Sequence, residues 1–319
     1  MSDGPILSLG EALVEFLAAP GATATDGAPS WCQYAGGGPA TYAAAAVRCG
    51  REASLITRVG DDCFSEFMVD ALTQEGVDVS GVRRVPGRQI GLCFHAVTGG
   101  HTELLFHRHA SAATTLEPGD IDAGRLAAAA ALHVPGTVMQ ISPSARETAR
   151  HAIATARDVG VVVSFDPNIR TIPGGTEAAA AFEEAVACAD LVMPTLAEAT
   201  AITGKQNPQD AARELRARGP KLVAVTLAAQ GCIMLAEGDA HPIHCPGYEV
   251  DVVEVTGAGD CHAAAMTVGY LAGWDPPRIG AFANAAGALA VTAVGHFGEA
   301  LPTLARIQAL IDHGRRRSR

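Results

Sequence analysis

Aromatic side chains are scarce in this chain, at 5% of 319 residues. A core short of large rings must be filled by small aliphatic residues, which favours closely packed, alanine-rich helices. Positive charge is scarce too. Asp and Glu total 34 against 23 Lys and Arg, a net charge of −11, which repels a phosphate backbone and excludes general nucleic-acid binding. Any anionic ligand must then be gripped by a local set of amides or cations. No uncharged apolar run reaches the ~18 residues of a membrane span, so no membrane partner is expected. The start, MSDGPILSLGE, has no basic stretch ahead of an apolar one, so no secretory signal is expected either. Cysteines stand at 32, 49, 63, 93, 188, 232, 245 and 261. No two form C-x-x-C, which excludes a structural zinc site and points to a reduced, cytoplasmic protein. There is no G-x-x-x-x-G-K-[ST] phosphate loop. The G-x-G at 257–259 meets His262 where a dinucleotide fingerprint needs glycine.

What is present is a repeating βα rhythm. ILSLG (6–10) reads as a buried strand and PATYAAAAVRCG (39–50) as a helix entered at Pro and left at Gly. EASLITRVG (52–60) reads as a strand. It precedes an amphipathic helix over 61–76 with Phe64, Phe67, Met68, Ala71 and Leu72 on one face. ALHVPG, VVVSFDPN, DLVMPT and KLVAVTLA follow as strands separated by helical segments, which indicates a parallel sheet covered on both faces. GCIMLAEGDAHPIHCPGYEV reads as an antiparallel edge. The basic end HGRRRSR reads as a solvated, frayed terminus.

Two stretches break the rhythm. Residues 12–35 lack helical periodicity, and 85–110 read as a hairpin turning at Thr98–His101. Together they are expected to make a small β-sheet lid. The core is then 1–11, 36–84 and 111–319. Alternation in LLFHRHA sets Leu104, Phe106 and Arg108 on one face and His107 and His109 on the other. His-x-His here and HPIH at 241–244 read as half-exposed strand histidines, since zinc needs a further ligand that is not evident nearby.

The sharpest feature is TGAGDCHAAAMTVG, with Asp260 at the mouth of an apolar helix. A helix start exposes unpaired N–H groups and partial positive charge. Asp260 there is either an ordinary cap or a base standing beside a phosphate, with the amides of Gly257, Ala258 and Gly259 steadying a transferring phosphoryl group. YAGGGPATYAAAA (34–46) is a second glycine-rich helix entry, either tight packing or a place where a polyhydroxylated ligand approaches the backbone.

The order GGGPAT near residue 40, DPNIR at 166–170, PTLAE at 194–198, TGAGD at 256–260 and ANAAGALAVTAVG at 283–295 resembles the ribokinase-like (PfkB) carbohydrate kinases over essentially the whole chain. The resemblance implies a Rossmann-like α/β core, mainly parallel and flanked by helices, with the β-sheet lid through which members often dimerise. It implies ATP and Mg²⁺ as cofactors, a small-molecule sugar as partner, Asp260 as catalytic base and Gly257, Ala258 and Gly259 as anion hole. It places Gly36, Gly37 and Thr41 at the sugar. Asn168, Thr195, Thr226, Gly231 and Asn284 fall at the nucleotide, and Glu198 at magnesium through water. The chain departs from the family at Thr41 and Thr195, each in place of asparagine, and at His262 and Ala265, in place of phenylalanine and glycine. Glu254-Val255 stands where Asp-Thr is usual, which puts the family's monovalent-cation site in doubt. These departures imply altered substrate choice or weaker turnover. They also keep open a non-catalytic sugar- or nucleotide-binding protein on the same fold.

FHRHASAATTLEPGDI, LHVPGTVMQISPSARE and SFDPNIR resemble the 2-keto-3-deoxygluconate kinase subgroup. That implies phosphorylation of a primary hydroxyl of a keto sugar acid, with Phe106, Arg108 and Arg170 at the substrate and both guanidiniums on its carboxylate. The subgroup's lid tyrosines are Cys93 and Phe106 here. GGGPAT also resembles sulfofructose kinases, and fructose or another neutral ketose is the alternative.

Overall fold

The computed structural model describes residues 3–18, 30–98, 101–169 and 175–317. Arg170 and residues 19–29 of the expected lid lie outside these. In chain order the strands are Ile6–Leu9 (β1), Leu13–Ala18 (β2), Trp31–Gly36 (β3), Ala53–Val59 (β4), Val82–Arg84 (β5), Gly91–Thr98 (β6) and His101–His107 (β7), then Ala131–Pro135 (β8), Val162–Asp166 (β9), Leu191–Val192 (β10), Leu222–Thr226 (β11), Gly231–Ala236 (β12) and Ile243–Pro246 (β13).

Nine strands form one sheet in the order β13-β12-β11-β10-β9-β8-β1-β4-β5. From β5 to β11 the neighbours run parallel, and β12 and β13 turn back antiparallel at the far edge. The parallel part is apolar on both sides because helices cover both faces. In β1, Ile6 enters one core while Leu7 and Leu9 enter the other, as period-two alternation requires. The expected strand at 190–195 shrinks to two ladder residues, because Pro194 has no N–H to donate and a capped helix begins at Leu196.

The first core is alanine-rich, as the shortage of aromatics suggested. Ala43–Ala46 of helix Gly38–Arg48 and Ala264–Ala265 of helix Ala258–Leu271 are fully buried, and small contact residues let these two helices lie close. A buried polar chain also ties them. The Tyr42 ring stacks on His133 at 3.6 Å, His133 Nδ1 lies 3.0 Å from Ser164 Oγ, and Ser164 Oγ lies 3.1 Å from Thr267 Oγ1. Burial pushes His133 down to about 3, so its ring is neutral in this core.

In the helix Cys63–Gln74, Met68 and Leu72 are fully buried and Phe64 meets Phe16 edge-on at 5.6 Å. Phe16 belongs to the second, four-stranded sheet, ordered β3-β2-β6-β7. Asp62 caps that helix and also accepts the N–H of Ile90 at 3.0 Å, at the entry to β6. Glu15, Cys93, His95, Leu104 and Phe106 share one face of this small sheet, and Phe16, Phe94 and Leu105 the other.

The chain end is not frayed through Arg317. The N–H of Glu249 donates to Arg315 O and that of Arg317 to Gly247 O, both at 2.9 Å, and Arg316 lies over the Tyr248 ring at 5.7 Å. Backbone pairing and a cation–π contact hold a segment that charge alone marked as solvated. Among the described residues no helix is long and apolar enough to cross a membrane.

Candidate active site

From β1 the main sheet continues to β4 on one side, and from β8 to β9 on the other. Ligands of open α/β sheets bind in the crevice at such a switch point, beyond the strand carboxyl ends. A narrow cleft, partly open to solvent, lies here. Glu11 enters it just after β1, Thr137 after β8 and Asn168 after β9. Asn168 holds a left-handed φ of 37°, its N–H donating to Asp166 Oδ1 at 3.1 Å.

Two helix starts converge on this cleft. Helix Gly38–Arg48 is capped by Gly37 at φ 93° and helix Ala258–Leu271 by Gly257 at φ 80°, and neither receives a side-chain cap. In the second of these the Ala258 and Gly259 amides are open to a ligand, whereas in the first Pro39 has no N–H and Ala40 donates to Gly37 O at 3.0 Å. Asp260 is not the cap. It is the third residue of its helix, half-buried and lining the cleft. Gly38 makes room for it, since a Cβ there would stand 2.8 Å from Asp260 Oδ1. Gly259 is exposed with open space about it, and Ala258 is half-buried.

The sugar-side positions divide. Gly37 lines the cleft, whereas Gly36 is buried against Glu15, where a Cβ would come within 2.3 Å of Oε1. Thr41 is not among the residues that line the cleft. It is fully buried, with its methyl 3.5 Å from where a Cβ on Gly257 would lie. Phe106 and Arg108 do line the cleft, beside Cys93 and Leu104. Arg108 is already paired, however. Nη1 lies 2.9 Å from Glu11 Oε2, and the guanidinium covers the Phe106 ring at 4.3 Å. Burial raises the Glu11 carboxyl, against the opposing pull of Arg108.

Composition gave no sign of a second buried cluster. Glu15 Oε1 accepts the N–H of Gly37 at 3.0 Å, and Oε2 lies 3.0 Å from His95 Nε2 and 2.6 Å from His296 Nε2. The His296 N–H points off that oxygen, so the attraction is coulombic more than that of a linear hydrogen bond. Burial alone would raise Glu15, but His296 and His95 together outweigh it and hold the carboxyl well below its usual range. For His296, burial favours the neutral ring, while Glu15 first and then Glu254 and Asp260 overcome it and raise the pKa.

The remaining expected residues lie toward the antiparallel edge. Thr195 caps helix Leu196–Thr203 in a capping box with Glu198. Glu198 Oε2 accepts Thr195 N–H at 2.8 Å and its hydroxyl at 2.9 Å, and Oε1 accepts Ile169 N–H at 2.7 Å. Threonine thus replaces asparagine without loss of the cap. Thr226 ends β11 and bridges to Thr195. Gly231 is buried and shapes this edge without reaching a ligand surface, because a Cβ at its φ of 92° would lie 2.1 Å from Cys245 O. Asn284 is buried, its amide donating to Cys245 O at 2.8 Å and Pro246 O at 3.2 Å. His262, beside Asn284, is pushed down to about 4 by burial. Glu254 takes the N–H of Thr256 at 2.9 Å and of Gly295 at 3.4 Å.

Among the described residues no cluster of His, Cys, Asp or Glu is arranged to hold a metal directly. Glu198, the residue expected at magnesium through water, has its carboxylate engaged by Thr195 and by the N–H of Ile169.

Residues 5–303 match the family model described as pfkB family carbohydrate kinase. A 2-dehydro-3-deoxygluconokinase of Thermoproteus tenax is 32% identical over 96% of this chain and 94% of its own. A probable fructokinase-6, chloroplastic, of Arabidopsis thaliana is 31% identical over 93% and 80%. Among solved structures, a putative ribokinase II from E. coli in complex with ATP and Mg²⁺ superposes with a TM-score of 0.89, at 29% identity, over 97% of this chain and 99% of that one.

Proposed function

Because this chain belongs to the pfkB family of carbohydrate kinases, we propose that it moves the terminal phosphoryl group of ATP onto a primary hydroxyl of a keto sugar or keto sugar acid, 2-keto-3-deoxygluconate first among them. The observation that carries this reading is the place of Asp260 in the first turn of a helix without a side-chain cap, at the switch-point cleft. Asp260 accepts the proton of the attacking hydroxyl. The amides of Gly257, Ala258 and Gly259 hold the equatorial oxygens of the phosphoryl group, aided by the helix dipole. Phosphoryl transfer needs in-line positioning and charge neutralisation more than covalent chemistry.

The nucleotide lies along the edge marked by Thr195, Thr226 and Asn284. Magnesium, when bound, neutralises its phosphates, and Glu198 orients the metal's water. The E. coli neighbour in complex with ATP and Mg²⁺ supports the two as ligands of this fold. Strands β2, β3, β6 and β7 act as a lid that keeps water from the phosphoryl group. The lid face away from the cleft, where Phe16 packs on Phe64, also bears Phe94 and the exposed Leu105, which suit pairing with a second copy. Eight free cysteines suit a reducing cytoplasm.

One observation favours a second reading, a neutral ketose such as fructose. Arg108 is paired with a buried glutamate, so less of its charge is left for a substrate carboxylate. Sugar-dependent ADP release with 2-keto-3-deoxygluconate and fructose, with Mg²⁺ present, tests both. Release with the acid alone supports the first reading and with fructose alone the second. Binding of either sugar without any release would replace the kinase by a sensor.

A further inference from the structure

The cluster around His296 lines the same cleft without a role in the scheme above, and it touches both the lid and the loop before Asp260. His296 follows helix Pro276–Ala290 and is buried with 4% exposure. Its Nε2 is 2.6 Å from Glu15 on lid strand β2, and Glu15 is bound in turn to His95 on lid strand β6. On the other side, its Nδ1 stands 3.0 Å from where a Cβ on Gly257 would lie. The neighbouring Gly295 is pressed against lid residue Tyr34, where a Cβ would be 2.5 Å from the ring, and its N–H reaches Glu254. The segment is wedged between the lid and the loop that starts the helix of Asp260.

We infer that His296 is a positioning residue that latches the lid to the phosphoryl-transfer loop, its imidazolium paired with Glu15 of the lid and its ring packed against Gly257 of the core. The inference rests on reading residues 257–260 as that loop. The titratable groups facing the ring are Glu15 and His95 from the lid and Glu254 and Asp260 from the core. Carboxylates on both sides favour the charged ring, and the raised pKa of His296 agrees with this. The sign follows. The proton is held below the ordinary value of 6.5 and lost only as pH rises through the raised folded value. When it leaves, Glu15 loses its closest cation while buried, and the lid loosens. The latch therefore adds an alkaline limb to turnover, separate from the acid limb that a base at Asp260 would give.

The test is the pH profile of kcat for sugar-dependent ADP release in wild type, His296→Gln and Glu15→Gln. The glutamine variants keep volume and hydrogen-bonding capacity but remove the charge pair. We expect kcat near neutral pH to fall at least about tenfold, the alkaline limb to flatten, and KM for ATP to stay within about twofold. In parallel, proton NMR of the wild-type histidine Cε1–H groups should show a ring titrating above 6.5 that moves down in Glu15→Gln. Wild-type kcat with an unchanged alkaline limb in a folded His296→Gln would overturn the latch. If that variant does not fold, absence of a Glu15-dependent high-pKa ring overturns it. Asp260→Asn separates the two levels. An inactive Asp260→Asn beside a normal His296→Gln removes only the latch, whereas an active Asp260→Asn removes the loop reading beneath it.

Discussion

Adding one methyl group at Gly38 should lower turnover without unfolding the protein. Gly38 opens helix Gly38–Arg48 and its φ is not positive, so alanine can replace it at the modest cost of a Cβ ahead of Pro39. The new Cβ would stand 2.8 Å from Asp260 Oδ1 and 3.5 Å from its Cγ. Ordinary contact begins near 3.4 Å, so the carboxylate must retreat by about 0.6 Å. A misplacement of ~1 Å at a reacting centre costs on the order of a hundredfold, so this shift should cost roughly ten- to fiftyfold in kcat. Melting temperature should change little, since the up to about 1 kcal/mol that alanine gains over glycine in a helix is offset by the crowding a Cβ meets before Pro39. The assay is sugar-dependent ADP release by a coupled reaction, with differential scanning fluorimetry beside it. Full kcat in a Gly38→Ala protein would mean that the carboxylate's position against this helix start is irrelevant, and the proposed geometry would fail.

Other perturbations reach separate parts of the structure. Arg108→Leu leaves Glu11 buried without its partner, which should cost about 3 kcal/mol and lower the melting temperature by roughly 5 °C. Glu11→Gln in the same chain should restore most of that loss, and an unchanged melting temperature in the single variant would show the pair to be unimportant. Asn284→Ala removes the donor to the carbonyls of Cys245 and Pro246. It should cost about 1–3 kcal/mol and raise KM for ATP more than KM for sugar, so an equal change in both would place the nucleotide elsewhere.

The βα rhythm was legible because buried parallel strands and alanine helices leave strong periodic signals, and the small sheet because 12–35 and 85–110 lack them. Asp260 was legible as a carboxylate at a helix start but not as geometry. Spacing alone could not say whether it capped the helix, since that depends on Gly257 taking φ 80° and the cap position itself. Arg108 was placed on the correct face by alternation, while its pairing with Glu11 joins residues 97 apart and leaves no local pattern. The same holds for Glu15, His95 and His296, which come from two lid strands and the segment after a late helix. One signal was available. Gly36 and Gly37 are glycines because a carboxylate and a backbone crowd them, and a paired-glycine entry to a helix announces some such close neighbour without naming it.

The central claim, that Asp260 takes a proton from a sugar hydroxyl, is tested most directly by single-turnover phosphoryl transfer in Asp260→Asn. Transfer should slow by about 10²–10⁴-fold while ATP binding, measured by calorimetry, stays unchanged. Transfer at the wild-type rate with bound ATP and sugar would contradict it.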